Sequence, residues 1–142
     1  NGYAVLAVGS PGEHRFCLTG DVRVHTLSAN IRVRADVGKT ALQRGPFVYC
    51  AEQCDNGENL AALRVNPEPE AIAVLPPEDN LPGSIPTLSV PGKRIVRTQA
   101  GEQGLYGDSC LKTEETHIRA VPYAFWGNRE PGEMRVWLDA IL

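Results

Sequence analysis

Short segments of strand character, each closed by glycine or proline, limit what this chain can fold into. Residues 3–8, 14–19, 22–27, 31–35, 39–43 and 47–51 are apolar or alternate between apolar and polar. Between them stand Ser10-Pro11-Gly12-Glu13, Gly20-Asp21 and Gly45-Pro46. These are turn formers, because proline fixes φ and donates no N–H while glycine reaches conformations closed to other residues. No segment before residue 58 sustains the 3.6-residue period of an amphipathic helix. Residues 47–51 are apolar throughout, as in a strand covered on both faces. Residues 31–35 alternate, which sends Arg32 and Arg34 to one face of a strand and Ile31 and Val33 to the other.

The second half continues the pattern. Cys54-Asp55-Asn56-Gly57 is a turn signal, and residues 60–65 read as either one helical turn or a strand. Residues 71–75 read as a strand, 76–86 as a proline-punctuated loop, and 94–98 and 105–111 as strands around a glycine-rich bend. Residues 116–126 read as extended, 127–132 as a turn, and 133–138 as the returning strand of a hairpin, with Met134, Val136 and Leu138 on one face. Prolines spaced this way suit the edges and corners of sheets. The fold class that follows is all-β, an antiparallel β-sandwich or two small ones, for which 142 residues with 42% hydrophobic content suffice.

Charge and composition narrow the function classes. A net charge of -3 argues against nucleic acid, which calls for a concentrated basic patch. No apolar run approaches the roughly 20 residues that cross a bilayer, and the first residues lack the basic-then-apolar order of a secretory signal. The chain starts at Asn1 and not at methionine, so it reads as part of a longer protein, and any address label would lie upstream. Cys17, Cys50, Cys54 and Cys110 lack the spacing of a small disulfide framework. Cys17 and Cys50 lie in apolar runs where a thiol packs as a small hydrophobe, so reduced, buried cysteine and a cytoplasmic setting are expected.

Two longer stretches are distinctive: NIRVRADVGKTALQRGPFVYC (30–50) and VPYAFWGNREPGEMRVWL (121–138). Together they resemble the C-terminal part of glycoside hydrolase family 127, the beta-L-arabinofuranosidase-like bacterial enzymes, and NGYAVL (1–6) matches a third, weaker family segment in the same order. The resemblance implies an accessory region that follows an α/α-barrel catalytic domain. It places residues 1–57 in the remainder of a first β-sandwich and 58–142 in a second, while the residues alone leave one continuous sandwich open. The implied reaction is retaining hydrolysis of a terminal beta-L-arabinofuranosyl residue by a cysteine held among zinc-binding cysteines and a glutamate, all on the barrel. The visible mark of that site is two adjacent cysteines, and no two are adjacent here. Glu52-Gln53-Cys54 repeats a glutamate-x-cysteine spacing, but within the stretch that matches the non-catalytic part of the family. The resemblance therefore assigns this chain no catalytic residue and no cofactor, with zinc expected in the upstream barrel. The implied partners are that barrel, then a homodimer or a carbohydrate, with no nucleic acid and no membrane.

The residues themselves agree in offering little chemistry. A zinc site needs a tetrahedron of ligands, and Cys50 and Cys54 are the only close pair while His14, His25 and His117 are scattered, so no metal ligand is assigned. Glu114, Glu115, Glu130 and Glu133 are carboxyl groups in no pattern that fixes a separation for glycoside hydrolysis. Sugar recognition is the stronger rival. Tyr123, Phe125, Trp126, Asn128 and Arg129 cluster near the expected hairpin tip, and Tyr123, Trp126 and Arg129 are the candidate substrate-binding residues, rings for stacking and a guanidinium for hydroxyls. The competing reading packs Tyr123 and Phe125 in the core and turns Trp126 toward a barrel or a second subunit.

Overall fold

The structure, a computed structural model, describes residues 3–97, 105–106 and 111–141. Among the described residues nine strands form: β1 Val24–Ser28, β2 Lys39–Arg44, β3 Phe47–Glu52, β4 Leu63–Val65, β5 Ala73–Leu75, β6 Thr87–Arg97, β7 Leu111–Pro122, β8 Met134–Arg135 and β9 Leu138–Ala140. One single-turn helix, α1 Gln53–Asn56, follows β3, and 3-10 turns occur at Leu60–Ala62, Pro69–Ala71 and Tyr123–Phe125. The all-β expectation holds, with one departure from a purely antiparallel sheet: β4 and β9 run parallel.

The pairings close on themselves. One edge of β2 holds β1, and the other is shared between β9, at Lys39 and Thr40, and β3, from Leu42 to Arg44. β9 then pairs with β4, β4 with β6, β6 with β7, and β7 with β3, which returns to β2. Each of these six strands sends side chains into one cluster: Leu42, Tyr49 and Ala51, Leu63 and Val65, Leu88 and Val90, Ile118 and Ala120, and Leu138, joined by Leu60 and Ile72. Full burial of each large aliphatic side chain stabilises by about 1.5–3 kcal/mol. From Tyr49 onward β3 is covered on both faces, while Val48 stays exposed. Tyr49 and Ala51 point into this core, while Cys50 joins Val121 and Leu81 in a second cluster outside the ring, packed by Phe125, Met134 and Val136. Strands on both sides of residue 57 thus share one sheet.

Glycine and proline act at specific places. Gly45 and Pro46 form the two-residue loop between β2 and β3, and Gly45 has φ of 56°, a value glycine takes without strain. Pro91 lies in β6 between the stretch paired with β5 and the stretch paired with β4, so its lack of an N–H falls in the gap between the two ladders, and its carbonyl accepts the Asn66 N–H at 2.9 Å. At Gly92 the backbones of β4 and β6 come close. A Cβ there would fall inside van der Waals contact of the Arg64 carbonyl oxygen and 2.9 Å from Ile118 Cδ1.

Three sequence expectations change. Residues 31–35 form turns rather than a strand, because the Asn30 side chain accepts the Arg32 N–H at 3.0 Å and its carbonyl accepts the Val33 N–H at 2.8 Å. Residues 3–8 and 14–19 carry no strand, and Cys17 is exposed rather than buried. The terminal hairpin does not form either. Both edges of β7 are taken, by β6 and β3, so the returning chain pairs elsewhere, β8 with β3 and β9 with β2 and β4. The strand expected at 105–111 lies mostly outside the described residues. No helix among the described residues is long and apolar enough to cross a membrane.

Replacing Gly92 with alanine should force β4 and β6 apart and destabilise the protein by about 1–3 kcal/mol. A urea unfolding curve should show the lower midpoint, and an unchanged midpoint would mean that the close approach is not required.

Candidate functional site

The densest polar arrangement sits where β3 runs out. Glu52 is still extended, and the chain then makes the single turn α1, which stops at Gly57, with φ of 74° and an N–H that donates to the Gln53 carbonyl at 2.7 Å. Asn56 fastens this turn to β7: its Nδ2 donates to the Glu52 and Arg119 carbonyls, both at 2.9 Å, and its Oδ1 accepts the Arg119 N–H at 2.8 Å. From the other side comes the segment before β8. The Gln53 N–H donates to the Glu133 carbonyl and the Glu133 N–H to Gln53 Oε1, each at 2.9 Å, while Glu133 Oε2 accepts the Leu60 N–H at 2.8 Å.

Inside this frame lies an ion-pair network. The side chains of Glu52 and Asp55 are 3% and 7% exposed, so each carboxylate needs a close counter-charge. Arg129 supplies it. Its Nη1 donates to Asp55 Oδ1 at 2.8 Å, and its Nη2 reaches both Asp55 Oδ2 and Glu52 Oε2, the planar fork that matches carboxylate geometry. Glu52 Oε1 accepts the Gly127 N–H at 2.9 Å. Arg119 extends the network, with Nη1 3.5 Å from Asp55 and Nη2 paired to Glu78. The hydrogen bonds that Arg129 donates to Asp55 hold its guanidinium well above its ordinary range despite partial burial.

The three candidate binding residues are divided between two roles. Tyr123 and Trp126 bracket a 3-10 turn, both 47% exposed, with rings 6.3 Å apart between centroids and 14° from parallel. Phe125 between them packs into the outer cluster over Cys50 and Val121. Arg129 is 12% exposed and committed to the two carboxylates, so its guanidinium is engaged. Beside it an open depression is lined by Cys54, Asp55, Asn80, Arg119, Arg129 and Glu130. Sequence reading did not single out Asp55, Glu78 and Arg119. The one local signal was Glu52, an acid placed directly after an all-apolar strand.

The model of the glycoside hydrolase family 127 C-terminal domain matches residues 24–139. The chain belongs to this family. It is similar to a non-reducing end beta-L-arabinofuranosidase of Bifidobacterium longum subsp. longum, 38% identical over 142 residues, covering 96% of this chain and 21% of that protein. Among solved structures, a family 127 beta-L-arabinofuranosidase from Geobacillus stearothermophilus T6 superposes with a TM-score of 0.75 and 36% identity, over 84% of this chain and 18% of that one. A family 127 beta-arabinofuranosidase superposes at 0.70 with 30% identity, over 85% and 18%. The chain therefore spans about a fifth of the length of these relatives.

For this family 127 domain, Glu52, Cys54 and Asp55 are the residues to test against a metal, since their ligand atoms lie within 4.8 Å of one another. Both carboxylates are engaged by Arg129, and desolvation, then the charge of Asp55, lift the Cys54 thiol above its ordinary value. Cys50 is buried, and desolvation, then the charge of Glu52, push its thiol up to about 12. A protonated, enclosed thiol is a packing group.

Arg129→Met keeps the aliphatic stem and removes the cation, leaving two buried carboxylates unpaired. The protein should lose about 3–5 kcal/mol, read as a lower urea midpoint, with partial recovery when Glu52→Gln is added. Cys50 sets a pH dependence of known sign. Its folded pKa lies above the unfolded value of about 8.5, so its contribution is complete below that pH and is lost progressively between there and about 12. The fall in urea midpoint from pH 8 to pH 10.5 should be smaller in Cys50→Ala than in the unsubstituted protein.

Proposed function

We propose that this domain is the non-catalytic C-terminal support of a beta-L-arabinofuranosidase whose reacting groups lie in an upstream catalytic barrel. The observation that carries the reading is the family match over residues 24–139 on a domain whose buried carboxylates are consumed in ion pairs. In the whole protein the reaction is hydrolysis of a terminal beta-L-arabinofuranosyl residue with retention, the nucleophilic cysteine and any zinc belonging to the barrel. A cytoplasmic setting goes with this reading, since thiols such as that of the buried Cys50 stay reduced there.

A second reading has its own observation. Tyr123 and Trp126 present near-parallel, half-exposed rings, the kind of surface on which the apolar face of a sugar stacks. A carbohydrate contact there would assist the barrel without taking part in its chemistry.

One set of measurements addresses both. The full-length protein should hydrolyse a chromogenic beta-L-arabinofuranoside, and this chain alone should not. Turnover by this chain that disappears in Cys50→Ala or Cys54→Ala would overturn the supporting role. Titration with arabinose-containing oligosaccharides should give a saturable fluorescence change absent in Trp126→Phe if the second reading holds, and none if the rings only pack.

A further inference from the structure

Asparagine stands directly before glycine twice in the sequence, at Asn1-Gly2, which lies outside the described residues, and at Asn56-Gly57, where α1 ends. This pairing is the one most open to loss of the side-chain amide, because glycine leaves the following backbone nitrogen unshielded. At the second pair that nitrogen belongs to Gly57, which is exposed to water. It gives up its proton and attacks Asn56 Cγ. The new N–Cγ bond closes a succinimide ring, the Cγ–Nδ2 bond breaks, and the amide nitrogen leaves with the displaced proton as ammonia. Water then opens the ring at either carbonyl, leaving aspartate or isoaspartate at 56.

The folded domain holds both reacting groups. The Asn56 amide is committed to the Glu52 carbonyl and to the carbonyl and N–H of Arg119, at 2.8–2.9 Å, so it is not free to swing onto the Gly57 nitrogen. The Gly57 N–H donates to the Gln53 carbonyl at 2.7 Å. Arg94 donates to the carbonyls on either side of Gly57, those of Asn56 and Glu58, and so fixes the peptide that must turn. Ring closure therefore requires α1 to leave β7. A single turn held by polar bonds is the kind of element that opens locally while the sheet stays formed.

After the reaction the turn no longer fits. Asn56 Nδ2 donates two of those bonds, and a carboxylate in its place has no N–H and sets its charge against the Glu52 and Arg119 carbonyls. Isoaspartate also adds a methylene to the main chain, between the carbonyls that Arg94 spans. Because α1 carries Asp55, a displaced turn loosens one side of the Arg129 clamp and with it the loop that leads into β8. We propose that Asn56-Gly57 is a latent modification site, silent while α1 is docked and converted on opening into an aspartate or isoaspartate that keeps α1 from closing.

Peptide mapping of the full-length protein held at mildly alkaline pH tests it. In urea both Asn1 and Asn56 should gain the mass of deamidation, with isoaspartate labelled by an isoaspartyl carboxyl methyltransferase. In the native protein Asn56 should react on the order of a hundredfold more slowly than in urea. Arg94→Met should raise the native rate several-fold and leave the rate in urea unchanged. Native protein modified at 56, separated by its added negative charge, should exchange the amides of β8 and β9 faster while β6 and β7 keep their protection. Equal rates in native and unfolded protein, or an unreactive Asn56 in urea where Asn1 reacts, would overturn the proposal. A native rate indifferent to Arg94→Met, or full protection of β8 and β9 in the modified protein, would count against it equally.

Discussion

A guanidinium clamped between two buried carboxylates governs how the last quarter of the chain is held. Arg129 comes from the loop after β7, while Glu52 and Asp55 come from the end of β3 and from α1, 77 and 74 residues earlier. Neither acid is tolerable at its depth without the cation, and the cation reaches that depth only because both acids are there. The loop that carries Arg129 leads into β8, which pairs with β3, and then into β9, which fills the gap between β2 and β4. Fixing the loop therefore also fixes the strand that completes the ring.

Closure of the ring explains why such short strands suffice. β4 and β9 have three residues each, too few to hold an edge of an open sheet, yet each lies between two neighbours and sends Leu63, Val65 or Leu138 into the shared core. The long hairpin of β6 and β7 supplies the rigid side of this ring. Its buried half contributes Leu88, Val90, Ile118 and Ala120. Its other half projects toward solvent and carries the Lys93 and Glu115 pair at 3.3 Å, an exposed ion pair of small energetic consequence.

What the sequence revealed depended on the range of the deciding interaction. The bend between β2 and β3 was legible because Gly45-Pro46 settles it locally, and the double coverage of β3 was legible from the apolar run Phe47 to Ala51, although it holds only from Tyr49 onward. Residues 31–35 misled because alternation is silent about the Asn30 side chain, which captures the backbone for a turn. The terminal hairpin misled because the two edges of β7 are occupied by strands far away in sequence, which no local pattern records. The candidate site divides the same way. Tyr123 and Trp126 could be picked out as neighbours, but the partners that turn Arg129 inward lie in another part of the chain.

β3 connects these levels. Tyr49 and Ala51 belong to the ring core, Cys50 to the outer cluster under Phe125, and Glu52 to the Arg129 clamp, so four consecutive residues join three differently built layers. The exposed pair Tyr123 and Trp126 rests on that outer cluster, through Phe125 between them. A load on those rings, whether from a sugar or from a neighbouring domain, passes through Phe125 to Cys50 and so to a strand hydrogen-bonded to β2, β7 and β8. Because Glu52 and Asp55 are neutralised by Arg129 and the enclosed Cys50 thiol is protonated, such a load is met by packing and charge pairing. That is the physical character of a support.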